Sequence, residues 1–260
     1  MQPSRPFDYS TSCLSPFPSP FTMSLYKIPL IIFLTRDFVS ILTPPQPEPS
    51  KEETAKTITI DVRGVRQLRH AIVRNGQILL ATLETLSIIF HHLQPSTQST
   101  ITRRMSVAHF ADVLPQLRTT QLSLFGAVMW IAGTRLRLAA FARLGHFFRF
   151  DISIQRSHKL ITTGPYAYVR HPSYTGIILT NIGWICYQLA SGSWLRESGV
   201  LKSSLGKLLV SVYLGFGLLP TLFVTLGRLR KEEDMLRASF GKEWEEWARQ
   251  VPYKVIPGVY

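Results

Sequence analysis

HKLITTGPYAYVRHPSYTG, residues 158–176, runs without a break into IILTNIGWICYQLA, residues 177–190. The first stretch sets His158, Tyr166, Arg170, His171, Ser173 and Tyr174 among turn-forming prolines and glycines. The second is almost entirely apolar. A chain entering a bilayer normally presents a bland polar flank, not a row of hydrogen-bonding side chains held by turns. The junction predicts a membrane helix with a polar ligand site built at its lip.

The rest of the chain fits that reading. Hydrophobic residues make up 45% and mean hydropathy is +0.11, against a net charge of +13. High charge and high hydropathy are compatible when apolar residues come in blocks. The blocks here are residues 76–93, 122–138, 174–194 and 205–226. A helix needs about 20 mostly apolar residues to cross the hydrocarbon core. The last two blocks meet that length. Glu84 interrupts the first, and Arg135 and Arg137 the second. A weaker fifth block, residues 25–42, contains Arg36 and Asp37. The expected fold is an all-α integral membrane protein with about four to five transmembrane helices. A charged residue such as Glu84 inside a span is expected to face the bundle interior.

Residues 1–56 read as a separate Pro/Ser-rich region, and residues 57–260 as one membrane domain. PPQPEPSKEE, residues 44–53, has the prolines of an extended linker. LYKIPLIIFL, residues 25–34, fits either a targeting signal or a marginal span. Basic residues flank the apolar blocks and no nucleic-acid motif accompanies them, so membrane-flanking charge is the reading, with no nucleic acid expected. Cys13 and Cys186 are the only cysteines, which excludes a disulfide framework and a cysteine zinc cluster. His91 and His92 read as interfacial, and no metal is expected.

The two apolar blocks at 174–194 and 205–226 form a hairpin, which returns the chain to its starting side. The opening motif and the tail from Arg228 therefore face one compartment. That side is rich in Arg143, Arg149, Arg156, Lys159, Arg170, Arg230 and Lys231, which marks it as cytosolic. Pro220 bends the last span. Residues 150–155, FDISIQ, alternate like a short extended piece. In the amphipathic tail, Gly241 separates two helices, Trp244 and Trp247 read as membrane-surface anchors, and Glu233 as a solvated neighbour. Arg228 and Glu232, four residues apart, are placed to line one pocket with the opening motif.

At this point a family resemblance emerges. HxLIxxGPYxxxRHPSYxG, a membrane hairpin, and then RxxxEExxLxxxFGxxWxxWxxxVP resemble the isoprenylcysteine carboxyl methyltransferases over roughly residues 126–257. The resemblance implies a multi-pass enzyme of the endoplasmic reticulum membrane with its site facing the cytosol. Its reaction would move a methyl group from S-adenosylmethionine to the carboxylate of a C-terminal prenylated cysteine, with the bilayer and a prenylated protein or prenylcysteine as partners. Carried over by position, the cofactor contacts would be Gln155, His158, Lys159, Leu160, Ile161, Tyr166, His171, Pro172, Ser173, Tyr174 and Glu232. Arg228 falls at the family's substrate-binding arginine. Trp244 and Trp247 stand where the family usually has tyrosines, and residues 1–56 have no counterpart.

The chemistry is consistent with that assignment. No GxGxxG follows a strand-like segment, so a nucleotide-type cofactor would need another cradle. Glu232 can bind the donor's amino group or ribose. Tyr166 and Tyr174 can flank adenine or sulfonium, and His158 and His171 can bind its carboxylate end. A carboxylate acceptor is already ionised near neutral pH, so the reaction needs in-line positioning and loss of water rather than a base. Arg228 can hold a carboxylate by two parallel bonds, with Arg170 as a second candidate. The alternatives are a phospholipid amine or small prenylated metabolite as acceptor, a sterol-reductase-like activity, and a non-catalytic membrane protein. The physiological substrate and oligomeric state are not fixed by these residues.

Overall fold

The computed structural model describes residues 25–43, 63–93, 117–150 and 158–259. Among them the regular elements are all helical: α1 (Lys27–Leu42), α2 (Arg63–Leu93), α3 (Gln121–Leu144), α4 (Pro172–Leu189), the short α5 (Trp194–Glu197), α6 (Ser204–Val212), α7 (Leu219–Phe240) and α8 (Lys242–Gln250). Single 3₁₀ turns lie at Gly145–Phe147, Gly164–Ala167 and Val200–Lys202. The protein is an all-α membrane protein. The expected extended piece at 150–155 falls almost wholly outside the described residues, as does Gln155.

The scaffold is built on α3 and α4, which run antiparallel at very short range. Gly126 and Gly133 on α3 oppose Gly183 and Gly176 on α4. A Cβ on Gly183 would lie 2.3 Å from the Trp130 amide nitrogen, and one on Gly133 would lie 2.5 Å from that of Thr180. Small residues at matching seven-residue spacing let the backbones touch, as helices in lipid favour. At the start of α3 the Thr120 hydroxyl accepts from the Ser123 amide, while Ser123 Oγ accepts from the Thr120 amide at 2.7 Å, closing two of the donors a helix end leaves open.

Around this pair the core gathers Leu34, Phe38 and Ile41 of α1 with Trp130, Trp184, Tyr187 and Tyr213. The α1 segment thus packs into the membrane core, although its sequence is set off from the rest by a proline-rich linker. Lys27 at its start is buried and ion-paired to the equally buried Glu84 of α2, and also donates to the Gly192 carbonyl at 3.0 Å. Glu84 therefore faces the interior, as its place in an apolar block predicts. Gln77 of α2 accepts from Trp184 Nε1 at 2.8 Å and donates to Thr35 at 3.0 Å.

Among the described residues three helices are long and apolar enough to cross a membrane: Gly64–Phe90, Gln121–Phe147 and Ser204–Phe240. The block expected over 174–194 is shorter in the structure. Its helix ends at Leu189, and Trp194 opens a separate turn with Nε1 donating to Ser87 at 3.0 Å. Thr180, Asn181 and Gln188 are buried along α4, which makes it a polar-faced inner helix. The last span is one long helix interrupted by a π turn at Tyr213–Leu218, directly before Pro220. Proline cannot donate to the carbonyl four residues earlier, and widening the turn accommodates the loss. Gly241, at φ 52°, separates α7 from α8, as its position in the tail predicts.

Candidate active site

A cavity of about 1230 Å³, its open mouth included, lies where the opening motif meets α2, α3, α7 and α8. Its wall includes His158, Lys159, Leu160, Ile161, Tyr166, Arg170, His171, Ser173, Tyr174, Arg228 and Glu232. Pro172 is buried behind that wall at the start of α4. A missing N–H costs nothing at that position of a helix. Gln155 lies outside the described residues.

Local sequence explains how each group arrives. Gly164 has φ 66°, a conformation that favours glycine, and a Cβ there would strike the Arg143 guanidinium at 2.7 Å. The turn that follows carries Tyr166 inward, where it packs with Ala140, Trp247 and Val251. Trp247 Nε1 donates to the Tyr166 carbonyl at 3.2 Å. Trp247 is 5% exposed, so it anchors α8 to the motif rather than to a membrane surface. Burial first, and the Glu232 charge second, raise the Tyr166 phenol well above its ordinary value, so it remains a protonated donor.

Tyr174, in the first turn of α4, donates its hydroxyl to Glu232 of α7 at 2.5 Å. His171 stacks on the Tyr174 ring with centroids 5.5 Å apart. His158 stacks on Phe147 at 4.6 Å and leaves a buried Nδ1 without a partner. Burial, and then neighbouring His146, lower its basicity below the ordinary value, favouring neutral imidazole.

Arg228 is half-buried. It donates Nη2 to the Phe150 carbonyl, and its buried Nε has no partner. Arg170 does different work from the carboxylate holder expected of it. Its Nε donates to Glu233 at 2.7 Å and its Nη1 to the carbonyls of Val251 and Pro252 at 2.9 and 3.0 Å. Those bonds commit it to the protein's own tail. Glu233, expected to be solvated, is 8% exposed and also meets Lys254 at 2.9 Å. The reason is geometric: consecutive helix residues point about 100° apart, so Glu232 and Glu233 cannot share a face.

One further group lies in the wall without having been singled out as a site residue. Arg137 of α3 is 7% exposed and donates Nη1 to Ser173 Oγ at 2.7 Å. Its guanidinium lies over Phe141, 4.7 Å from the ring centroid. It makes no ion pair with a described carboxylate. A signal was present: Arg137 continues the register of Gly126, Trp130 and Gly133, the face that packs on α4.

Residues 126–194, from α3 through the motif to α5, match the model of the isoprenylcysteine carboxyl methyltransferase (ICMT) family. Over this segment the chain is similar to that family. A protein-S-isoprenylcysteine O-methyltransferase of Arabidopsis thaliana is 29% identical over 136 residues, 50% of this chain and 57% of the relative. One of Dictyostelium discoideum is 28% identical over 148 residues, 56% of this chain and 54% of the relative. A delta(14)-sterol reductase of Saccharomyces cerevisiae is 30% identical over 112 residues, but only 21% of that protein is covered. The chain spans about half the length of the curated methyltransferases it matches. The family segment supplies Arg137 and the wall from His158 to Tyr174, while Arg228 and Glu232 come from α7, beyond the segment matched by the family model.

Proposed function

We propose that this protein transfers a methyl group from S-adenosylmethionine to the carboxylate of a C-terminal prenylated cysteine, at the cytosolic face of the endoplasmic reticulum membrane. The observation that carries the reading is Arg228: a guanidinium in the cavity wall with a buried unpartnered Nε and no ion pair to a described carboxylate, opposite the family motif. Such a group is suited to an incoming carboxylate, which it can meet with parallel charge-assisted bonds.

The residues fit the donor. Glu232 offers a carboxylate for an amino or ribose group, and its bond to Tyr174 fixes its orientation. The buried unpartnered Nδ1 of His158 awaits a polar partner. When bound, the donor supplies a methyl carbon activated by a positive sulfur. Arg228, which shares the cavity wall with Arg137, would orient the acceptor oxygen toward that carbon. Transfer would form the O–C bond and break the donor's C–S bond, with the sulfur keeping the electron pair. The products are a methyl ester and a neutral thioether, so no proton moves and no base is required.

An amine acceptor would want a carboxylate beside the methyl group, whereas Glu232 is the carboxylate assigned to the donor and Arg228 is the charged group left for the acceptor. The test is methyl transfer from labelled S-adenosylmethionine to farnesyl-cysteine analogues by the membrane-embedded protein, with phosphatidylethanolamine as the competing acceptor. Transfer to the prenylcysteine that is lost in Arg228→Ala and Glu232→Ala supports the reading. Label appearing only in phosphatidylethanolamine overturns it.

A further inference from the structure

Glu232 and Glu233 are neighbours on α7, yet only Glu232 belongs to the cavity wall. The Glu232 side chain is 30% exposed, and the Glu233 side chain is 10% exposed. Around Glu233 converge Arg170 Nε at 2.7 Å, Lys254 Nζ at 2.9 Å and His171 Nε2 at 3.5 Å. Arg170 and His171 belong to the motif, and Lys254 follows α8.

That last segment has left its helix. After α8 ends at Gln250, residues 251–255 lie along the motif as a strap. The amides of Arg170 and His171 donate to the carbonyls of Tyr253 and Lys254 at 2.9 and 2.8 Å. Thr175 Oγ1 donates to the Val255 carbonyl at 2.6 Å, and Val255 is 2% exposed. Glu233 holds both partners of this contact at once, Arg170 on the motif and Lys254 on the strap.

We propose that Glu233 is a positioning residue of the methyl-donor pocket: by clasping the strap to Arg170 it sets the His171–Tyr174 wall against Glu232. The proposal rests on the methyl-transfer reading above. Neutralising Glu233 leaves the Arg170 cation, itself 7% exposed, without its counter-ion, and an uncompensated buried charge drives its surroundings to rearrange. The groups that move are those next to Tyr174 and Glu232, and binding constellations tolerate only small displacements. Arg228, on the acceptor side, donates to the Phe150 carbonyl and not to Glu233 or the strap. The effect therefore falls on the donor and spares the acceptor.

The experiment measures initial rates of methyl transfer to a farnesyl-cysteine analogue while donor and acceptor are varied in turn. S-adenosylhomocysteine affinity is measured by calorimetry on the same detergent-solubilised full chain. Glu233→Gln is expected to raise the donor KM and the S-adenosylhomocysteine Kd by about tenfold, with the acceptor KM within about twofold. Lys254→Met, at a more exposed position, is expected to raise the donor KM about threefold, and Lys254→Arg to restore it. Wild-type donor KM in both Glu233→Gln and Lys254→Met overturns the proposal, as does an equal rise in both KM values. Should Glu233→Gln fail to fold, the Lys254 pair decides alone. A wild-type chain that transfers no methyl defeats the methyl-transfer reading itself, whereas transfer with unaffected variants defeats only the role of Glu233.

Discussion

The Tyr174 hydroxyl donates to a Glu232 oxygen at 2.5 Å, joining the first turn of α4 to the charged end of α7 across 58 residues of sequence. This bond makes one cavity wall out of two distant segments. It also leaves the carboxylate pointed, with part of its surface open to a ligand.

Tyr174→Phe removes that bond and keeps the ring. A hydrogen bond to a charged group contributes about 1.5–3 kcal/mol, so S-adenosylhomocysteine affinity should fall about tenfold or more. Calorimetry on the folded variant checks it, and unchanged affinity would place the donor elsewhere.

Arg228→Ala should lower kcat/KM for a prenylcysteine acceptor by about 10²–10³, with donor affinity nearly intact. Arg228→Lys should recover only part of this, because an ammonium cannot form the paired bonds of a guanidinium. Steady-state kinetics with each ligand varied in turn separates the two effects.

Gly183→Val tests the helix pair. A Cβ there lies 2.3 Å from a backbone nitrogen, and overpacking of this kind typically costs about 1–3 kcal/mol or more. The melting temperature in detergent should drop and activity should fall with it. The same change at Gly215, where a Cβ meets nothing within 4 Å, should do much less.

Lys27→Met and Glu84→Leu should each destabilise by about 3–5 kcal/mol, since each strands a buried charge. The double variant should regain much of the loss, because an apolar pair of similar size leaves no charge uncompensated. Thermal unfolding of all three tests whether α1 is held to the core by this pair.

His158 has a pKa below its ordinary value of 6.5, through burial and then His146. Below pH 6.5 the unfolded chain binds a proton there more readily than the folded one. Its stabilising contribution is thus complete above pH 6.5 and declines as pH falls toward the folded value. The melting temperature should decrease on acidification through that window, and His158→Phe should flatten this part of the profile.

Much of the architecture could be read from local patterns. The apolar blocks announced helices, and Gly241 announced the break in the tail because glycine readily takes the φ of 52° found there. Glu84 announced an interior partner, since a charge in an apolar block must be compensated. Less visible were pairings between distant segments. Nothing near Glu233 in sequence marks it as buried, because its three partners lie far away at 170, 171 and 254. Trp247 looked like a surface anchor because an aromatic residue on an amphipathic helix has the same local pattern whether it meets lipid or a neighbouring turn.

By itself the sequence determined the all-helical membrane class and the motif that builds one wall of the site. These follow from composition and turn chemistry, which are local properties of the chain. Only the tertiary structure decided that Arg137 joins the wall, that Arg170 serves the strap, and that adjacent glutamates face apart. Those outcomes depend on which helix faces lie together, and that is set by the close glycine contact of α3 with α4 and by the need of each buried charge for a partner.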